Sequence, residues 1–323
     1  MTSRAQKKGN RISTENHVFH GGRLAMSFVR NSQKSAESNR AAVQHQKDVD
    51  AHFRNSVSSW DDIYHQGSEL GAMVQSRRAI VLAWIRELGL SLEDRILEVG
   101  CGTGLTTVSL AQSGYPVVAA DGVLNMLRRT LEHAAEADVG HRTTVVTADI
   151  QHLCFSSRSF PLVLAIGVLP YIHSPLGAIA EMARVLRPGG HVILTTHNLW
   201  ALIDLLDPAT FFDPRKSRPF APIRRAAKAL LLRAGWGGST RPAVWARPHS
   251  IRTLSKWLSS AGLERVRSMT IGFGPFTCFS QEFLPWSVGI KLHHRLQNLA
   301  DHNVPGFRST GREHIVLARK MIG

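Results

Sequence analysis

The chain predicts an α/β fold: a doubly wound, seven-stranded, mostly parallel sheet carrying an inserted helical cap. Three observations point there. Short apolar or β-branched runs at 95–99, 116–120, 143–147, 161–166 and 191–196 have the look of strands buried on both faces. Helical patterns at 105–113, 124–135 and 176–186 alternate with them, and repeated βα units build a parallel sheet covered on both sides. A glycine-rich turn, Gly100 to Gly104, follows the first run and opens a helix.

The elements follow in order. Residues 1–45 are basic, polar and weakly patterned, and are expected to form a disordered tail. From Val49 to Leu88 apolar residues recur at helical spacing, so N-terminal helices lead into the core, which spans 46–198. Arg187-Pro188-Gly189-Gly190 is expected to stop the last core helix and turn the chain into the fifth strand. Residues 199–249 lose the rhythm and are interrupted by prolines, among them Pro208, Pro214, Pro219, Pro222 and Pro242, as an inserted helical cap would be. Ser250 is a good N-cap for a helix ending near Gly262, and 265–271 and 313–319 read as closing strands around an insertion at 272–312. The C-terminal region 250–323 thus completes the core.

Bulk properties narrow the class. No run approaches the ~18 uninterrupted apolar residues of a membrane span, and the basic N-terminus lacks an apolar signal core, so a cytoplasmic protein is expected. Three cysteines without framework spacing suit reduced thiols. The net charge of +15 favours acidic or anionic partners, or is only a solvated basic surface.

The turn reads ILEVGCGTG at 96–104. Gly100 and Gly102 let the backbone pass under a ligand, and Gly104 lets the helix start against the strand. A dinucleotide fingerprint starting at Gly100 would need glycine at 105, where Leu105 stands. The pattern instead is E-x-G-x-G-x-G, with Glu98 two residues before the first glycine. A carboxylate there suits a cationic ligand and would repel a pyrophosphate.

E-x-G-x-G-x-G resembles the first motif of class I S-adenosylmethionine-dependent methyltransferases, with their Rossmann-like fold. Further motifs match: PVVAADGVLNML with Asp121, Gly122 and Val123, TADI with Asp149 and Ile150, LVLAIGVLPYIHSP with Gly167, and LRPGGHVILTTHN at 186–198. The resemblance implies S-adenosyl-L-methionine as cofactor. By it, Asp121 bonds the ribose hydroxyls, Gly122-Val123 packs on adenine, Asp149 with Ile150 meets the adenine amino group, and Gly167 lies by the methionine moiety. Glu98, Gly100, Cys101, Gly102 and Gly104 complete the cofactor set, with Cys101 read as a small spacer. The resemblance departs at Pro161, where many relatives carry an acidic residue. It is nearest the small-molecule branch that includes quinone-biosynthesis methyltransferases.

Displacement at a sulfonium needs alignment above all, and a base only where the acceptor loses a proton. Tyr171, His173 and His197 are the candidates, each equally readable as a polar residue starting a loop. Tyr64 and His65 are expected to close over the cofactor. The N/D-P-P-Y/F motif of base-amino methyltransferases and the Pro-Cys nucleophile of cytosine C5 enzymes are absent, and no metal site is expected: 167–174 holds no acidic ligand and His293-His294 stands alone. From Pro214 to Arg252 ten basic residues and no acidic one interleave with Phe220, Trp236 and Trp245. That composition suits a lipophilic or anionic small-molecule acceptor, or a cap resting on a membrane surface. The reading is methyl transfer to a hydroxyl oxygen of a small or lipophilic acceptor. Carbon or nitrogen methylation and an RNA-binding methyltransferase are the alternatives, with nucleic acid the disfavoured partner.

Overall fold

The computed structural model describes residues 40, 43–57, 60, 69–208, 246–279 and 281–322. The expected tail up to residue 39, Tyr64, His65 and cap residues 209–245 lie outside that set. The chain divides into two compact units, 1–47 and 48–323. Residues 43–47 of the first are helical, and the second holds everything described below.

The second unit is built on one seven-stranded sheet in the order β3-β2-β1-β4-β5-β9-β6. Its strands are β1 (Ile96–Val99), β2 (Val117–Asp121), β3 (Thr143–Thr147), β4 (Phe160–Ala165), β5 (Leu186–His197), β6 (Leu263–Ile271) and β9 (Glu313–Lys320). The first five pair in parallel, while β9 runs antiparallel to both β5 and β6. A two-stranded ribbon of β7 (Thr277–Cys278) and β8 (Gln281–Glu282) lies inside the second expected insertion.

The period-2 alternation of strand side chains decides which helix covers which face. Ile96, Val117, Leu162, Leu164, Ile193 and Ile315 point one way, toward α1 (Glu69–Glu87) and α2 (Leu105–Gln112), where Val81, Ile85 and Leu110 complete the cluster. Leu97, Val118, Val163, Val192 and Val316 point the other way, toward α4 (Pro175–Val185) and α6 (Ile251–Ser260). Between β2 and β3 lies α3 (Leu124–Glu136). Burial on both faces explains the near-continuous apolar strands of the sequence.

Local chemistry marks several boundaries. The Ser250 hydroxyl accepts from the Thr253 N–H at 3.1 Å, which caps α6, and Gly262 just past its end takes φ +73°. The break at Arg187–Gly190 differs from its expected role. It turns no corner: Phe160 pairs with Leu186 and Leu162 with His191, so these four residues bulge out of β5 opposite Pro161. A proline offers no N–H to the ladder, and the bulge is where β5 leaves it unanswered.

After β5 come α5 (Leu202–Leu206) and, beyond the ribbon, α7 (Trp286–Asp301). Ala201, Ile203 and Phe276 form a small separate core, with Leu284, Leu292 and Leu296 packed against it. The Thr277 hydroxyl donates to Asp207 at 2.6 Å, tying the ribbon to α5.

Candidate active site

The carboxyl ends of β1, β2, β4 and β5 converge where an open parallel sheet offers its ligand crevice. Gly100, Gly102 and Gly104 all take left-handed φ, +66°, +56° and +81°. A Cβ on Gly100 would stand 2.3 Å from Val168 Cγ2, and one on Gly104 2.5 Å from Thr130 Cγ2. At Gly102 a Cβ would meet nothing within 4 Å. Two of the glycines therefore allow close packing beneath the turn, and the third leaves open space above it.

The turn is pinned from below. Gly100 N–H donates to Ala120 O at 2.7 Å, and Gly102 N–H donates to Asp121 Oδ2 at 3.0 Å. From α3, the Thr130 hydroxyl donates to Gly102 O at 2.9 Å, and His133 Nδ1 lies 2.8 Å from Thr103 O. Cys101 is buried beside Thr130, and burial with the nearby Asp121 and Glu98 pushes its thiol well up. Such a thiol is inert, as a spacer should be.

Two desolvated carboxylates flank the turn. Glu98, inside β1, is buried and accepts the Thr107 hydroxyl from α2. Burial pushes its carboxyl up to about 7, with Asp121 adding to the rise and Thr107 opposing it. Asp121 ends β2, and burial raises it as well, against the N–H groups of Val123 and Gly102 that it accepts. Each of its oxygens holds one backbone donor and keeps lone-pair capacity for another. Two carboxylates strained toward neutrality beside open space form a site suited to a cation.

Other predicted contacts are placed as follows. Gly122 is exposed and Val123 buried at the N-cap of α3. Asp149 stands two residues past the end of β3, not at its tip. It closes a turn by accepting Gln151 N–H at 2.9 Å and lies 3.2 Å from His152, with its side chain 48% exposed. Ile150 packs against the core. Gly167, φ +76°, donates its N–H to the Thr195 hydroxyl at 2.8 Å.

On the acceptor side, Tyr171 sits in a single 3-10 turn, Leu169–Tyr171, with Phe53 packed edge-on at 5.0 Å and His197 at 6.5 Å between ring centroids. Burial raises the Tyr171 phenol, and Glu313 adds to the rise. His173 follows the turn, its carbonyl accepting from Arg247 at 3.5 Å and its Nδ1 sealed from solvent. His197 ends β5 with Nε2 3.4 Å from Glu313 Oε1.

Sequence reasoning missed what lies beneath His197. Arg77 from α1 reaches both Glu313 oxygens, at 3.2 and 3.1 Å, and both residues are buried. Burial alone would raise the Glu313 carboxyl, but Arg77 and His197 outweigh it and hold it far below the usual carboxylate range. The only local signal was an acidic residue opening a strand with an apolar centre, Ile315 to Ala318. Thr107, Thr130 and Thr195 were missed too, because a threonine in a helix or strand carries no signature of the loop it supports. Among the described residues no group of three or more His, Cys, Asp or Glu gathers as for a metal.

Comparison with known proteins fits this geometry. Residues 97–194 match the model of a methyltransferase domain family. The ubiquinone biosynthesis O-methyltransferase of Vibrio cholerae is 28% identical over 147 residues, covering 45% of this chain and 58% of that one. Its namesake in Caulobacter vibrioides is 32% identical over 131 residues, covering 36% and 51%. The chain thus spans little more than half the length of these relatives. Among solved structures, magnesium protoporphyrin IX methyltransferase from Synechocystis PCC 6803, with S-adenosylhomocysteine bound, superposes with TM-score 0.54 at 18% identity, covering 85% of this chain and 99% of that one. The 1,6-didemethyltoxoflavin-N1-methyltransferase of Burkholderia thailandensis gives 0.51 at 16%, covering 87% and 90%. The fold is the Rossmann-like methyltransferase fold, and the family match lies within residues 97–194.

Proposed function

We propose that the protein transfers a methyl group from S-adenosyl-L-methionine to a hydroxyl oxygen of a small or lipophilic organic acceptor. The observation that carries this reading is the open space over Gly102, flanked by the desolvated carboxylates of Glu98 and Asp121. A ligand bearing both an ammonium and a sulfonium answers the cost of keeping those groups ionised. When bound, it supplies a methyl group already activated for in-line displacement, the bonding electrons staying with sulfur and leaving S-adenosylhomocysteine.

The chain's own residues then divide the labour. Glu98 and Asp121, beside the open space over Gly102, hold the donor. Asp149, half-exposed past β3 with Gly122, Val123 and Ile150 nearby in sequence, is assigned to the nucleoside end. Tyr171, His173 and His197, with Gly167, are assigned to the acceptor side. The oxygen assignment is supported by the relatives named for O-methylation.

A lipophilic acceptor and contact with a membrane surface are favoured by Trp200, Leu206, Phe283 and Trp286, each more than half exposed on or beside α5 and the ribbon. Of these elements α5 follows the site end of β5, and the ribbon follows β6. No described helix is long and apolar enough to cross a membrane.

The test is calorimetry with S-adenosylmethionine and S-adenosylhomocysteine, then incubation of cell extract with methyl-labelled donor and identification of the labelled product. A methyl ether or ester supports the reading, and label in nucleic acid or on carbon or nitrogen overturns the acceptor assignment. Flotation with anionic liposomes tests the surface contact: a protein left at the bottom of the gradient has none.

A further inference from the structure

We propose that Glu313 fixes the tautomer of His197, so that Nε2–H is held by the carboxylate and Nδ1 is left as the proton acceptor for the substrate hydroxyl. The proposal rests on the oxygen-methylation reading above. It assigns a base among the three candidates and adds a positioning pair, Arg77 and Glu313, that reaches the substrate only through His197.

The case starts with Glu313. It opens β9, is 2% exposed, and both its oxygens are held by Arg77 from α1 at 3.2 and 3.1 Å. Arg77 cannot lose its charge, and it keeps the carboxylate ionised despite burial. An ionised carboxylate only accepts hydrogen bonds. The imidazole nitrogen facing it, His197 Nε2 at 3.4 Å, is the one placed to carry the hydrogen. In the neutral ring that leaves the lone pair on Nδ1. No described protein group bonds Nδ1, and the side chain as a whole is 28% exposed.

The other candidates fit the role less well. Burial and the Glu313 charge disfavour the Tyr171 phenolate, so Tyr171 stays a donor. His173 has its Nδ1 sealed from solvent. The groups facing the pair are Arg77 from α1, Tyr171 from the turn after β4, Arg312 beside Glu313, and His249 across from β5. Glu313 is the anion of this cluster, and it faces His197 on the Nε2 side. The proton leaves the acceptor oxygen as that oxygen forms its new bond, rests on Nδ1, and then passes to solvent along the exposed flank.

The experiment is nitrogen-15 NMR of histidine-labelled full-length protein with S-adenosylhomocysteine present, the His197 signal being assigned by its loss in His197→Gln. Wild type is expected to show the Nε2–H tautomer, and Glu313→Gln a mixture of tautomers. A wild-type ring protonated on Nδ1 overturns the proposal even if the Glu313 variant fails to fold, and so does a tautomer unchanged in a folded Glu313→Gln. If calorimetry shows no binding of S-adenosylhomocysteine, the methyl-transfer reading itself falls, whatever the tautomer.

Discussion

In the donor half of the site the hydrogen bonds that matter run between near neighbours in sequence: Glu98 to Thr107 over 9 positions, Gly102 to Asp121 over 19, Thr130 to Gly102 over 28. In the acceptor half, Arg77 meets Glu313 across 236 positions. The difference reflects two tasks. A donor common to many enzymes is proposed to be held by one βαβαβ unit, whose turn geometry requires particular residues at fixed spacing. An acceptor is met by whatever the later strands and the N-terminal helix bring together once the sheet has closed. The first half is therefore a local object that a motif can describe, and the second exists only in the folded chain.

The sharpest way to break that contrast is to remove the long-range half. Arg77→Met leaves the Glu313 carboxylate buried without its cation, which costs about 3–5 kcal/mol, read as a fall in the denaturant midpoint. Adding Glu313→Gln to the same protein should recover much of the loss, because the penalty lies in the unpaired charge. If the two single variants are as mild as surface changes, the pair is not structural and α1 is not anchored to β9 through it. Next in size, His197→Gln should lower kcat by about a hundredfold or more on the labelled acceptor, with donor affinity unchanged. A loss confined to KM would make His197 a binding residue.

The same contrast explains what could be read in advance. The five parallel strands and their helices were legible because each is a short apolar run bounded by Gly, Pro or a capping residue, as with Ser250 and Gly262. The glycine turn was legible for the same local reason, through Glu98, the three glycines and Asp121, to which the donor is assigned as a proposal. What escaped was of two kinds. The β5 bulge escaped because Arg187-Pro188-Gly189-Gly190 has the composition of a turn, and only pairing with Pro161 on the neighbouring strand makes it a bulge. Glu313 escaped because nothing within ten residues shows that an arginine from residue 77 will face it.

Adjacent positions on β9 extend the comparison on a smaller scale. Glu313 and His314 alternate to opposite faces of the sheet, the first paired with Arg77, the second 3% exposed with no partner for Nε2 among the described residues. Burial, with Arg265 contributing, lowers the His314 pKa to about 4. A base depressed in the fold gives stability that is present above its ordinary value near 6.5 and lost as pH falls toward 4. By pH 5 the loss should reach about 1–2 kcal/mol. Acid unfolding of His314→Asn, followed by circular dichroism, should be shallower across that window. An identical acid limb would mean that His314 titrates as it does in the unfolded chain.

The smallest effect tests the donor half on its own terms. With its carboxyl raised to about 7 by burial, Glu98 binds a proton in the free protein through much of the range from 4.5 upward. That raised value makes its contribution to stability fall as pH rises through the window, because the unfolded chain ionises first. A cationic donor reverses the preference, since ionised Glu98 attracts it and protonated Glu98 does not. Binding must then expel the proton, so affinity for S-adenosylmethionine should rise about tenfold between pH 5.5 and 7. That window lies below the range of ~7.7–8.0 in which an α-amino group loses its own charge. Calorimetry in buffers of different ionisation heat should register the released proton, and Glu98→Gln should abolish both the release and the pH slope. A slope that survives the substitution would move the titrating group to Asp121, whose pKa is raised by the same burial and which faces the same turn.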